Sequence, residues 1–331
     1  MDQISENNRF PDGATVCFIG DSITCNNLFL AHIAAYYRAR FPESGVAFYN
    51  CGIAGAGLKT LLAAFDTDVR PLCPTHCVLL IGANDSHLQS GCGEDREAWY
   101  SMLERSFGRF RRQLSEYCGR IREIGAELIL CTQLPYAEYQ ESTVPPHRAG
   151  AAVMLGYADF TRDYARENGY PLCDYHSYFA RAMQKEVLFE ADRVHPNPQG
   201  QYRIAECFLA FQHCRPGAPQ ALPEDVEAWH RTVRVLRDMV TAEHFILADR
   251  FDLPEEQRTA AMKRYLSADH SKEPDSALPV RLAEQYLTEQ PGRQERIRSV
   301  TDFMRTATGK SGRSAGISRT GHPGKTEHTE S

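Results

Sequence analysis

Along the first two thirds of the chain, short apolar runs alternate with longer stretches in which apolar residues recur every three or four positions. Residues 15–19 (TVCFI), 46–49 (VAFY), 77–81 (CVLLI), 126–132 (AELILCT) and 171–174 (PLCD) are too short for amphipathic helices and read as strands, the first of them buried. Residues 28–41, with Leu30, Ile33, Ala34 and Tyr37 on one face, and residues 58–65, 94–124, 153–168 and 198–214 have helical spacing. Strands joined by helices of this length need parallel crossovers. The expected architecture is a three-layer α/β/α sandwich around a parallel sheet of about five strands.

The pattern changes near position 215. All eleven cysteines lie at or before Cys214, and from there to residue 305 the only glycines are Gly217 and Gly292. Trp229, Val233, Leu236, Val240 and Leu247 keep a helical stripe, and Pro254 opens another helix with Glu255 and Glu256 in its first turn. Residues 1–214 therefore read as an α/β domain and residues 215–305 as a C-terminal helical extension. Its apolar stripe is expected to pack on the α/β domain, to join two copies as a homodimer, or to form a lid. Residues 306–331 hold five Gly, four Ser and five Thr, and Ile317 is their one large aliphatic residue. A disordered tail is expected there.

Composition narrows the function classes. With 42% hydrophobic and 24% charged residues in 331, the chain can build a packed core. The formal charge of -6, with neither sign forming a block of five, gives no electrostatic support for nucleic acid or an anionic membrane as partner. The first ten residues (MDQISENNRF) hold no apolar segment of the signal-peptide kind, and no run of 18 apolar residues occurs. A cytoplasmic location is expected, with reduced thiols such as Cys17 and Cys131 serving as small hydrophobes. Cys73 and Cys77 flank His76, but without a second pair they make a poor zinc signature, and no metal is expected.

In an open parallel sheet, ligands bind beyond the carboxyl ends of the strands. The first strand ends in Gly20-Asp21-Ser22-Ile23-Thr24, the second in Asn50-Cys51-Gly52-Ile53-Ala54-Gly55, and the third in Gly82-Ala83-Asn84-Asp85. Asp192, Arg193, Val194, His195 and Pro196 follow the last strand. Singly, each has a structural reading: Ser22 as a helix cap, Gly52 and Gly55 as turn glycines, Asn84 as a turn or cap residue, His195 as a surface histidine. Together they fit one chemistry. A serine hydroxyl needs a base to accept its proton, histidine has the suitable pKa, and a carboxylate three residues earlier can orient the imidazole. The Ser22 N–H, the Gly55 N–H and the Asn84 amide can supply three donors to a developing oxyanion. Residues 133–147, with Tyr136 and Tyr139, follow the fourth strand and form either a substrate loop or a plain surface connection.

In this order, across about residues 14–205, the four segments resemble the sequence blocks of the SGNH hydrolases, the GDSL-type esterase and lipase superfamily. The resemblance implies a flavodoxin-like three-layer fold, catalytic Ser22, Asp192 and His195, oxyanion donors at Ser22, Gly55 and Asn84, and no metal or organic cofactor. Gly52 competes with Gly55 for the oxyanion role, but Gly55 corresponds to the second Gly of the family's G-x-x-G stretch. The implied reaction is carboxylic ester hydrolysis through an acyl-enzyme. The expected substrate is a short acyl ester, acetyl above all, of a carbohydrate or other small polar alcohol. Lysophospholipid or thioester hydrolysis and acyl transfer are the alternatives within the fold. A non-catalytic binding protein would be expected to carry a damaged triad, and here every member is present.

Overall fold

The computed structural model describes residues 9–88, 95–147, 149–214, 223–247, 254–269 and 277–289. Five parallel strands, β1 (Thr15–Gly20), β2 (Ala47–Gly52), β3 (His76–Leu80), β4 (Glu127–Cys131) and β5 (Leu172–Cys173), lie in the order β2-β1-β3-β4-β5. The chain leaves β1 for β2 on one side and returns to β3 on the other. The sheet therefore has its switch point at the carboxyl end of β1, the place where open parallel sheets bind their ligands.

Alternate side chains of each strand serve two cores. Val16, Phe18, Val78 and Leu80 pack with helices α2 (Leu28–Arg40) and α7 (Pro198–Phe211) on one face. Cys17, Ile19, Cys77 and Leu79 pack with α3 (Leu58–Ala64), α4 (Arg96–Glu123) and α5 (Gly150–Asn168) on the other. Burial on both faces explains why these strands read as continuous apolar runs. It also explains the cysteines: the described ones are free, and all but the exposed Cys73 are buried.

The structure differs from the sequence pattern in four places. The turn after β1 is a four-residue helix, α1 (Ser22–Cys25), too short to carry a periodic signal. The segment after α3 continues as a π turn over Phe65–Val69 and a 3-10 turn over Arg70–Leu72. Helix α5 begins at Gly150, where a Cβ would lie 2.4 Å from the Tyr136 ring, so only glycine lets the helix start against that ring. The eight-residue α6 (Tyr175–Ala182) follows the two-residue β5 directly. Asp174 ends the strand by capping this helix, its carboxylate accepting from Ser177 N at 3.1 Å.

Beyond the α/β unit lie α8 (Pro223–Leu247), α9 (Glu255–Leu266) and α10 (Ala277–Glu289). Val226, Trp229 and Val233 of α8 belong to the α2–α7 core. Met239, Ala242 and Leu247 form a separate cluster with Met262 of α9 and Leu282, Ala283 and Tyr286 of α10. Residues 215–222, 248–253, 270–276 and 290–305 of the expected extension and the expected tail at 306–331 lie outside the described residues, as do the side chains of Leu236, Val240 and Glu255.

Candidate active site

The turn at the end of β1 is built for close approach. A Cβ on Gly20 would fall 2.4 Å from the Leu80 carbonyl oxygen and 2.3 Å from Thr24 Oγ1. The Asp21 carboxylate accepts from Ile23 N at 3.0 Å and so caps α1, presenting Ser22 as its first residue. Burial pushes the Asp21 carboxyl up to about 6, against the opposing pull of that hydrogen bond and of His195.

Ser22 Oγ lies 2.7 Å from His195 Nε2, and His195 Nδ1 lies 2.5 Å from Asp192 Oδ2. The other oxygen of Asp192 accepts from the N–H groups of Val194 and His195 at 3.0 and 2.9 Å, so one short loop orients both side chains. Burial pushes the Asp192 carboxyl up. Hydrogen bonds from the His195 ring and from the His195 and Val194 N–H groups outweigh it and hold the group at about 2. An ionised carboxylate only accepts, so Nδ1 carries the proton, and in the neutral ring Nε2 accepts from the Ser22 hydroxyl. The Asp192 hydrogen bond raises His195 above its ordinary value of 6.5, against the opposing effect of burial.

Two further loops lie at the neighbouring strand ends. Asn50 donates to Thr24 O at 2.8 Å and to Asn27 Oδ1 at 2.9 Å, tying the end of β2 to the chain around α1. Its side-chain oxygen Oδ1 accepts from Gly52 N at 2.9 Å. That bond occupies the Gly52 N–H, whereas Gly55 is exposed and takes φ +74°, a conformation that favours glycine. Asn84 Nδ2 donates to Ala56 O at 2.9 Å, which brings the β2 and β3 loops side by side and leaves the second N–H of the same amide for other use. Asp85 Oδ1 accepts from Leu58 N at 2.9 Å, and burial pushes its carboxyl up to about 6.

Three supporting residues had no role in the sequence reading. Gln133 donates to Ile81 O at 2.6 Å, and a Cβ on Gly82 (φ +132°) would lie 2.9 Å from it. Arg193, with φ +68°, donates to the carbonyls of Ala137 and Val144 at 3.1 and 2.9 Å and also to Gln140 O. The 133–147 segment is thereby tied to the Asp192–His195 loop. Within it Tyr136 is buried, its hydroxyl accepting from His147 N, while Tyr139 is 91% exposed. Arg237 of α8 donates to the carbonyl of Gly52. The sequence signal for Arg193 is a long cation inside the Asp192–His195 segment, but nothing nearby names the carbonyls it meets.

A cavity of about 30 Å³ adjoins the serine turn, lined by Asp21, Ala83, Leu88, Tyr136, Met154 and Val194 among others. Its walls are mainly apolar. Among the described residues, no group of three or more His, Cys, Asp or Glu side chains is arranged to hold a metal ion. His76 stacks edge-on against Phe10 and shares a hydrogen bond with Thr75. No described helix is long and apolar enough to cross a membrane.

Comparison with known proteins identifies the family. Over 220 residues the chain is 26% identical to an acetylxylan esterase of Geobacillus stearothermophilus, spanning 61% of this chain and 94% of that one. An α/β hydrolase enzyme from the metagenome of Lake Arreo, Spain, is 28% identical and superposes with a TM-score of 0.52 over 62% of this chain and 97% of its own. A gut microbial diltiazem-metabolizing enzyme, only 14% identical, shares the fold over 91% of this chain and 96% of its own, with a TM-score of 0.72. That likeness extends into the helical extension. The model of the GDSL-like lipase/acylhydrolase family matches residues 18–203, more than half of the chain, and the protein belongs to that family of SGNH-type carboxylic ester hydrolases.

Proposed function

We propose that the protein removes a short acyl group, acetyl above all, from an ester of a carbohydrate or other small polar alcohol, with Ser22 as nucleophile. The observation that carries this reading is the continuous hydrogen-bonded chain from Ser22 Oγ through His195 to Asp192, at 2.7 and 2.5 Å. His195 Nε2 takes the hydroxyl proton as Oγ attacks the ester carbonyl. The tetrahedral oxyanion is met by the N–H groups of Ser22 and Gly55 and by the Asn84 amide. Collapse expels the alcohol, which takes the proton from Nε2 and leaves an acyl-Ser22. Water, deprotonated by the same nitrogen, then releases the carboxylic acid and restores the serine.

Two observations support a short acyl group. A small, mainly apolar cavity lined by Asp21 and Ile23, the neighbours of Ser22, and by Val194, the neighbour of His195, favours a small acyl group. The acetylxylan esterase that the chain resembles is named for an acetylated sugar polymer. The same reading assigns the protein to the cytoplasm, a compartment that keeps its buried thiols reduced.

The test is a panel of p-nitrophenyl esters of increasing acyl length beside acetylated xylo-oligosaccharides, with fluorophosphonate labelling of the intact chain. The expected result is activity greatest on acetate, and labelling that Ser22→Ala abolishes together with at least about 10³-fold of kcat. A folded chain that resists the probe, or a preference for long acyl chains, overturns the reading.

A further inference from the structure

Helix α8 lies outside the matched family region, yet it reaches the loop that carries Gly55. Arg237 on this helix is 7% exposed. Its Nε and Nη2 donate to the Gly52 carbonyl oxygen at 3.2 and 2.6 Å. Its charge is balanced by the Asp68 carboxylate, 3.9 Å away, as a buried cation requires. One helical turn further on, Thr241 Oγ1 lies 3.4 Å from Cys25 Sγ at the end of α1, the helix that Ser22 opens.

Gly52 is held from every side. Its N–H is bonded to Asn50, its carbonyl to Arg237, and a Cβ would lie 2.4 Å from the backbone N of Cys25. Ile53 N donates to Gly20 O at 2.9 Å, and beyond Gly55 the carbonyl of Ala56 accepts from Asn84. The loop from 53 to 55 is thus fixed at both ends, and Arg237 supplies two of the bonds at the first. A buried strand-end carbonyl needs a donor, and a guanidinium gives two in a rigid fork where an ammonium gives one freely rotating set.

We propose that Arg237 is a positioning residue for catalysis: by clamping the Gly52 carbonyl it holds the Gly55 N–H in register with the Ser22 turn. The proposal rests on the assignment of Gly55 as an oxyanion donor. Oxyanion donors act within a few tenths of an ångström, and a displacement of about 1 Å costs on the order of 10² in rate. The helical extension is then part of the catalytic apparatus without touching substrate.

The experiment uses the full chain with Arg237→Met, Arg237→Gln and Arg237→Lys, thermal melts establishing that each is folded, and Ser22→Ala as a parallel control. On p-nitrophenyl acetate, Arg237→Met is expected to lower kcat at least about 10-fold while KM stays within about two-fold, because the loss falls on the transition state. Arg237→Lys is expected to recover part of that loss, and Arg237→Gln answers the same question if Arg237→Met does not fold. A folded neutral variant with undiminished kcat overturns the proposal, as does a loss confined to KM or a Lys variant no better than Met. Ser22→Ala separates the two levels: if it stays active, the catalytic reading itself has failed. If it is dead while the neutral Arg237 variants turn over normally, only the role of Arg237 has failed.

Discussion

At the scale of single residues, the site is a matter of which proton sits where. The Asp192 hydrogen bond holds His195 above 6.5 in the folded chain. Below that raised value Nε2 is protonated and cannot take the Ser22 proton, so kcat/KM should fall toward acid with a midpoint above 6.5. Measured between about pH 5 and 8, Asp192→Asn should move the midpoint to lower pH, because the partner that favours the charged ring is gone. The same substitution disfavours the productive tautomer and should cost on the order of 10⁴ in kcat. An unchanged acid limb would remove Asp192 from that role. Chain-length preference lives at the same scale. Met154 lines the cavity beside the serine, and Met154→Ala should raise kcat/KM for butyrate relative to acetate by about 10-fold, the value of one or two methylenes in an apolar pocket. No change in that ratio would mean the acyl group lies elsewhere. The proposed triad is legible in the sequence because its chemistry dictates residue types, and Asp192 and His195 lie within one loop. Gly55 was preferred to Gly52 only by its place in a motif. The hydrogen bond from Gly52 N to Asn50, which occupies the competing donor, became visible only in three dimensions.

At the scale of elements, strands were legible wherever both faces are buried, since an unbroken apolar run such as 77–81 has few other uses. Elements that draw their stability from capping were not. Helix α6 is eight residues long, and what starts it is Asp174. That carboxylate accepts from Ser177 N, Thr132 Oγ1 and Arg162 Nη2 at 3.1, 3.0 and 2.9 Å, joining α6, β4 and α5 at the sheet edge where β5 pairs over only two residues. Burial pushes the Asp174 carboxyl up, but these partners, Arg162 foremost, outweigh it and hold the group well below its ordinary value. A carboxyl depressed in the folded state adds stability above its unfolded value near 3.8 and loses it as pH falls toward the folded value. Asp174→Ala should therefore lower stability by about 2 kcal/mol at neutral pH, a helix cap and a half-buried ion pair together. The deficit should shrink in acid as the wild-type carboxyl protonates. Denaturant melts at neutral and acidic pH measure both, and a deficit independent of pH would mean that the carboxylate's charge contributes nothing.

At the scale of the whole molecule, α8 decides whether the extension is an appendage or part of the enzyme. The amino-terminal half of the helix is continuous with the core of the α/β unit, for Val226, Trp229 and Val233 are buried among residues of α2 and α7. Its carboxyl-terminal half belongs to a separate cluster with α9 and α10. The stripe in the sequence showed that this helix has an apolar face, but periodicity carries no information about which surface covers that face. An extension docked through a fully buried tryptophan should not detach before the core melts. Trp229→Ala should cost about 3–5 kcal/mol, the usual loss for deleting a buried indole, and should lower the melting temperature of the esterase activity itself. A variant with Trp99→Phe would leave Trp229 as the sole indole, since the chain has two tryptophans. During urea unfolding of that variant, the red shift of Trp229 emission, the loss of far-ultraviolet ellipticity and the loss of hydrolysis should share one midpoint, as in a single cooperative unit. If the emission shifted at lower urea while hydrolysis persisted, α8 would undock on its own, and neither Arg237 nor the rest of the extension could be holding the oxyanion loop in the working enzyme.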